Sequence, residues 1–364
     1  MTGNVLRIES PGLMSTIQDL GRFGYQRFGI STSGASDRDA LRLGNLLLGN
    51  DVGAAAVEIT FGGFAAVFTA ATAFAISGAD LGPTLNGTPI AIGTIYVAAP
   101  NDRIAMAAPV AGFRSYLHLS GGVVCNQVLG SAATYQPATI GGIDGRSLIE
   151  GDELETGDPT LAVSAGASLD FPTTQPAQIP QPVRVVLGPQ DDHFTQAGIS
   201  AFLGEVFTVT DRSNRQGVRL DGPEIEAEND GYDIVSDAVV TGSIQIPGDR
   251  KPIILMSDRQ TTGGYPKIAV VATVDLPHIA QAAPGTQIQF VAISREEAVA
   301  LLKEREATID EASVVAADVQ GFGLAVESEL HHVAVPAQSG EQQPNRFQVE
   351  LDGNRHTVAI EDVQ

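Results

Sequence analysis

The chain has 364 residues, 43% of them hydrophobic and 18% charged, which is the composition of a folded protein of two or three domains. Its 43 acidic and 21 basic residues give a formal net charge of −22, a field that repels nucleic acid and anionic membrane surfaces. The one cysteine, Cys125, excludes an intrachain disulfide and a cysteine-based zinc site; no basic-then-apolar leader and no apolar run of about 18 residues is visible, so a cytoplasmic protein is expected.

Forty glycines and 20 prolines argue for short strands and many turns rather than a helical bundle. The first motif runs from Gln18-Asp19-Leu20-Gly21-Arg22-Phe23-Gly24-Tyr25 to Gly29, Ser31, Gly34 and Asp37. Its glycines predict a turn whose backbone approaches a ligand or another segment; a hairpin corner with an Asp19–Arg22 pair is the plainer alternative. Residues 36–48 place Ala40, Leu43 and Leu47 on one helical face, with Gly49-Asn50 as the stop. Strands are expected at 56–59, 65–68, 74–77, 94–98 and 115–119. Glu58 lies inside an apolar strand and requires a partner, which we expect to be an arginine. Cys125 sits in an apolar stretch and reads as a buried, inert thiol.

A proline-rich linker, with Pro172, Pro176, Pro180 and Pro182, occupies 171–183. Strands follow at 184–187, 206–210, 253–256, 269–273 and 287–292, with a short helix near Asp191. Residues 294–305 open with a capping box, Ser294 and Glu297. A polar break at 339–345 precedes a hairpin in which Phe347, Val349 and Leu351 return through Asp352-Gly353 to Val358 and Ile360.

Two segments carry candidate chemistry. Ser213-Asn214-Arg215-Gln216-Gly217-Val218-Arg219-Leu220 holds two arginines four apart, either a clamp for an anion or an internal ion-pair hub. Asp258-Arg259-Gln260-Thr261-Thr262-Gly263-Gly264-Tyr265-Pro266-Lys267 is a polar Gly-Gly loop behind a strand, suited to small-molecule binding; a polar turn is the bland reading. The histidines point elsewhere. His118 and His278 read as structural, His193 as part of a helix cap, and adjacent His331 and His332 face opposite sides of a strand. No metal site is expected.

The segments 18–25, 213–220 and 258–266, with Gly188-Pro189-Gln190, resemble the biotin-dependent carboxyltransferase, or allophanate hydrolase subunit 2-like, family, which includes the KipI antagonist and the C-type subunit of 5-oxoprolinase. The resemblance runs from about residue 5 to about residue 305. It implies a mainly β fold of two tandem cyclophilin-like β-barrels with a few short helices. It also implies a KipI-like, B-type partner and, in 5-oxoprolinase, a further A-type subunit. The family commonly reads Gly-Ser-Arg-Ser-Thr where this chain has Gly130-Ser131-Ala132-Ala133-Thr134, so Ala132 replaces an arginine.

The resulting expectation is two barrel domains, residues 1–171 and 183–310, and a C-terminal extension, 311–364, ending in the hairpin. The chain would be one subunit of an ATP-linked amide-activating enzyme, 5-oxoprolinase or a urea carboxylase-like carboxyltransferase. Urea is the less favoured substrate because no carrier or carboxylase module is fused here. Asp258, Gln260 and Tyr265 would be catalytic. Arg215, Arg219, Thr261, Gly263, Gly264 and Lys267 would bind substrate. No cofactor would be covalently bound: ATP would act through partner subunits, and carboxybiotin, lacking a Met-Lys attachment pair here, would arrive on another chain. The alternative is a non-catalytic regulator that binds and antagonises a KipI-like partner.

Overall fold

Strands dominate because apolar and polar residues alternate over short stretches broken by glycine. The computed structural model describes residues 4–158, 165–169, 180–318, 322–326, 329–333, 346–351 and 354–359. In the first half, Asn4–Pro11 pairs with Glu153–Thr156 on one side and Phe64–Phe68 on the other, at the centre of a seven-stranded sheet. Met14–Gln18, Ala56–Thr60, Ala111–Leu119, Thr72–Asp80 and Ile95–Ala98 form a five-stranded sheet, in that order. Both sheets bury their apolar faces in one core, where Phe68 of the first meets Phe74 of the second at 5.0 Å between ring centroids.

The first helix, α1 (Arg38–Leu47), starts two residues later than residues 36–48 suggest, because the Asp37 carboxylate accepts from Ala40 N at 3.0 Å and caps it. It lies on the five-stranded sheet, with Gly44 directly over His118.

In the second half, seven strands close into a barrel. The order is Gln181–Leu187, Lys267–Val271, Ser243–Gln245, Ile253–Leu255, Gly217–Asp221, Val206–Val209 and Gln287–Ala292. Parallel pairing of the first strand with the last completes the ring. Helix α2 (Gln196–Gly204) places Phe202 against Phe290 at 4.4 Å, and α3 (Leu276–Ala280) adds Ile279 to the same core. The mainly β expectation holds: the second half is a closed barrel, and the first half divides its strands between two sheets.

Helix α4 (Arg295–Asp318) begins at the expected capping box, with Glu297 N donating to Ser294 Oγ at 3.1 Å and Ser294 N to Glu297 Oε2 at 2.7 Å. It is long rather than short and runs continuously through residue 310, where the C-terminal extension was expected to begin. It returns to the first half, where Arg42 makes two bonds to Glu306 (2.9 and 2.8 Å) and Arg305 bonds Asp39 at 2.8 Å. Arg346–Leu351 pairs with Asn354–Ala359 as the hairpin pattern suggests; its Asp352-Gly353 turn, the break at 339–345 and linker residues 171–179 lie outside the described residues. Among the described residues, no helix is long and apolar enough to cross a membrane.

Candidate functional site

The two halves meet where the glycine-rich segment of the first touches the polar loops of the second. Gly21 (φ 104°) and Gly34 (φ 85°) pack backbone to backbone; a Cβ on Gly34 would lie 2.8 Å from Gly21 Cα. Only glycine permits that approach. It holds residues 31–37 beside the turn and presents Ser33, the Gly34 carbonyl and Ser36 to the barrel.

Arg215 reaches across to them. Its Nε donates to Asp258 Oδ2 (2.9 Å), and its Nη2 to Gly34 O (2.6 Å) and Asp258 Oδ1 (3.1 Å). Its Nη1 donates to Ser36 Oγ (3.0 Å) and to Glu58 Oε1. All five donors of the guanidinium are thus committed. Arg215 is the internal hub, not the clamp, and its assignment to substrate binding is corrected. Glu58 finds its arginine, as expected, and also accepts from Tyr116 Oη (2.7 Å) and Ser36 N (2.8 Å). Burial alone would raise the Glu58 carboxyl; Arg215 and Arg114 outweigh it and hold it below the usual carboxylate range. Asp258 is buried and also accepts from Ser33 Oγ at 2.6 Å, so its carboxylate orients neighbours rather than standing free to move a proton.

A second clasp lies beside this hub. Gln281, just past α3, accepts from Phe113 N and Arg114 N (both 2.9 Å) and donates to Asp37 Oδ2 (2.8 Å) and Arg114 O (2.9 Å).

Next to the hub opens a cleft of about 680 Å³. One wall is the segment Leu20–Arg42, another the barrel residues around Ser257 and Leu276, and Leu302 and Glu306 of α4 close the third side. Hydroxyls of Thr32, Ser33, Thr241 and Ser257 line it, together with Arg38, Arg42 and Arg259. Arg259 is 3% exposed, its Nη1 donates to Thr32 Oγ1 at 3.2 Å, and its Nε has no partner. Arg259 was not among the expected site residues, although it lies in the same polar loop. The signal was present: it is one of only 21 basic residues, inside the densest polar loop.

The rest of that loop turns away from the cleft, whose lining includes no residue from 260 to 267. Gln260 and Tyr265 are exposed, and Gln260 Nε2 meets Gln245 Oε1 at 3.3 Å. Thr262–Gly263 pairs with Asp237–Ala238, and a Cβ on Gly263 would lie 2.4 Å from Gln245 Nε2. Thr261 O accepts from Val239 N, and Gly264 O from Ile234 N. Lys267 is buried, its Nζ bonded to Asp237 Oδ2 (2.8 Å) and Ala238 O (3.1 Å); Lys267 holds Asp237 below the usual carboxylate range. That neutralised ammonium is structural, a correction to its substrate-binding role. Arg219 is exposed on the barrel strand Gly217–Asp221, whose neighbours Val218 and Leu220 point into the core, so it forms no clamp with Arg215.

Other polar groups are structural. Asp19 accepts from Gly21 N (2.7 Å), Ser131 Oγ (2.8 Å) and Ala132 N (2.7 Å) instead of pairing with Arg22. Arg22 is fully buried and donates to the carbonyls of Val128, Ser131 and Ala133. Ala132 is part of the first core. His118 is buried on Ser77 and Asn45, and burial pushes its pKa down to about 3. Burial pushes the half-buried Cys125 thiol up to about 11. Among the described residues, no group of three or more His, Cys, Asp or Glu is placed to hold a metal.

A family described as carboxyltransferase domain, subdomain A and B, matches residues 28–292. The chain is 36% identical over 302 residues to the 5-oxoprolinase C subunit of Escherichia coli (strain K12), covering 83% of this chain and 94% of that one. It is 37% identical over 298 residues to the 5-oxoprolinase C subunit of Haemophilus influenzae, covering 82% and 94%. The crystal structure of the K. lactis urea amidolyase superposes with a TM-score of 0.77 at 30% identity, over 86% of this chain; the chain spans about a fifth of that protein, 20% of its length.

Proposed function

The chain belongs to the carboxyltransferase-domain family, subdomains A and B, and we propose from that premise that it is the C-type subunit of an ATP-dependent 5-oxoprolinase. In this reading it acts in the cytoplasm with an A-type and a KipI-like B-type subunit to open the lactam of 5-oxoproline to glutamate. The observation that carries it is the identity of 36% and 37% to the C subunits of two 5-oxoprolinases, each matched over 94% of its length. ATP is used by the partner subunits, and this chain contributes the interdomain cleft.

Opening a lactam requires donors aimed at the oxygen that becomes negative, in a site closed to bulk water. The cleft supplies the Thr32 hydroxyl as such a donor, its Oγ1 accepting from Arg259, and leaves the buried Arg259 guanidinium to hold a charged group of the substrate. Asp258 and Arg215 are positioning residues: Asp258 fixes the Ser33 hydroxyl and Arg215 fixes Asp258. The loop with Gln260, Thr261, Gly263, Gly264 and Tyr265, exposed at Gln260 and Tyr265, stands outside the cleft lining and is available to a partner subunit that completes the site. Volume and donor set also fit carboxybiotin brought on another chain, held by Arg259 and Thr32, where it would supply an activated carboxyl group.

Reconstitution with A-type and B-type subunits tests the reading. Glutamate release from 5-oxoproline that needs both ATP and this chain is the expected result. Urea-dependent ATP turnover instead would make it a carboxyltransferase component. A stable complex with no turnover of either substrate would leave the regulatory alternative.

A further inference from the structure

The cleft contains a buried charge that the protein itself does not answer. Arg259 is nine-tenths and more buried, its guanidinium touches Thr32 Oγ1, and its Nε is unpartnered. No carboxylate among the described residues forms an ion pair with it. The adjacent Asp258 is consumed by Arg215 and Ser33. A guanidinium out of water and without a counter-charge is strongly disfavoured unless something else supplies that charge. Burial also pushes its pKa down from the ordinary arginine value, with no opposing carboxylate.

A second cation stands at the mouth of the same cleft. Arg38 is exposed, with its guanidinium carbon 5.3 Å from the Phe23 ring centroid. Asp39 and Glu306 are near enough to favour its charge, but neither forms an ion pair with it: Asp39 bonds Arg305 and Glu306 bonds Arg42. So in a chain of net charge −22 the cleft retains two arginines that form no ion pair among the described residues. The guanidinium fork matches planar or tetrahedral oxyanions and binds them by charge-assisted hydrogen bonds.

We propose that the interdomain cleft is a seat for a small oxyanion, with Arg259 as its buried anchor and Arg38 at its mouth. The identification of that oxyanion as the carboxylate of the amide substrate rests on the 5-oxoprolinase reading; inorganic phosphate released from ATP presents the same chemistry.

The test uses the full chain labelled with nitrogen-15 at arginine Nε. The Arg259 resonance is identified by its loss in Arg259→Lys. 5-Oxoproline, its neutral carboxamide and inorganic phosphate are titrated separately, into the chain and into the reconstituted complex. A shift of the Arg259 signal with 5-oxoproline but not with the carboxamide is expected. A shift with phosphate alone assigns the seat to phosphate. In the complex, Arg259→Gln should raise KM for 5-oxoproline about tenfold or more, the effect of losing a charge-assisted hydrogen bond, with kcat far less changed. Arg38→Gln should raise it less. If Arg259→Gln does not fold, the titration and Arg259→Lys decide. An Arg259 signal unmoved by either oxyanion, or an unchanged KM in folded Arg259→Gln, overturns the seat. Normal turnover of 5-oxoproline with that unchanged KM would leave the proposed function standing. A phosphate response without any 5-oxoproline turnover would do the reverse.

Discussion

Asp37 carries two contacts on one buried carboxylate: Oδ1 accepts from Ala40 N and caps α1, and Oδ2 accepts from Gln281 Nε2 across the domain junction. Burial disfavours its charge more than those bonds favour it, and its pKa is raised to about 6 from the usual 3.8. A raised carboxyl binds its proton more tightly in the folded state. Its stabilising contribution is therefore full below about pH 4 and is lost as pH rises to about 6, by about 3 kcal/mol. His118 works the other way. With its pKa pushed down to about 3 by burial, it stays neutral when folded, so stability is lost as pH falls below about 6.5, where the unfolded histidine takes up a proton. The two slopes partly cancel between pH 4 and 6, so only a difference isolates Asp37. Asp37→Ser keeps a capping oxygen and removes the titration. Urea-unfolding free energies should show the wild type losing stability relative to Asp37→Ser as pH rises from 4 to 6. A difference that stays flat over that window would contradict a raised Asp37.

Among the elements, α1 shows a helix rule overridden by packing. Glycine inside a helix costs up to about 1 kcal/mol relative to alanine, so propensity alone favours Gly44→Ala. The added Cβ would stand 2.2 Å from His118 Nε2, and that ring is held from both sides by Ser77 and Asn45. Gly44→Ala should therefore destabilise by about 1–3 kcal/mol, the cost of overpacking, as read from the urea midpoint. In a His118→Ala background the same change should become stabilising; a stabilising effect with His118 intact would refute the packing account. Elements of this kind were legible in sequence where the period was strong: the face of α1, the alternating strands and the Ser294–Glu297 box all stand where expected. Short strands such as Arg103–Met106 and Ser243–Gln245 were not, because their pairing partners, not their own pattern, define them. The end of α4 was missed for a similar reason: its anchors, Asp39 and Arg42, lie in a different part of the chain. Glu58 could be read as needing an arginine, but its partner is 157 residues away, and spacing holds no record of such a pair.

Among the devices that join the halves of the molecule are the Arg215 hub, the Gln281 clasp and the return of α4 to α1. The hub differs from the other two because Arg215 lies between carboxylates of opposite halves, Glu58 and Asp258. Replacing a buried ion network by apolar or neutral groups is often harmless, whereas removing one member leaves charges stranded. Arg215→Met therefore leaves Glu58 with Arg114 but strands the buried Asp258 carboxylate at the junction, and about 3–5 kcal/mol of stability should be lost. The loss should fall on the contact between halves, since each keeps its own core. Calorimetry should show one joint transition in the wild type and two separated transitions in Arg215→Met. Adding Asp258→Asn to that variant should recover most of the stability, because Glu58 keeps Arg114 at 3.8 Å and no carboxylate is left stranded, but not turnover, because the Ser33 hydroxyl loses the carboxylate that fixes it at the cleft. An Arg215→Met protein that melts as the wild type does would show that the hub is not what couples the halves. Recovered turnover in the double variant would separate the hub from the cleft and leave the junction a purely mechanical one.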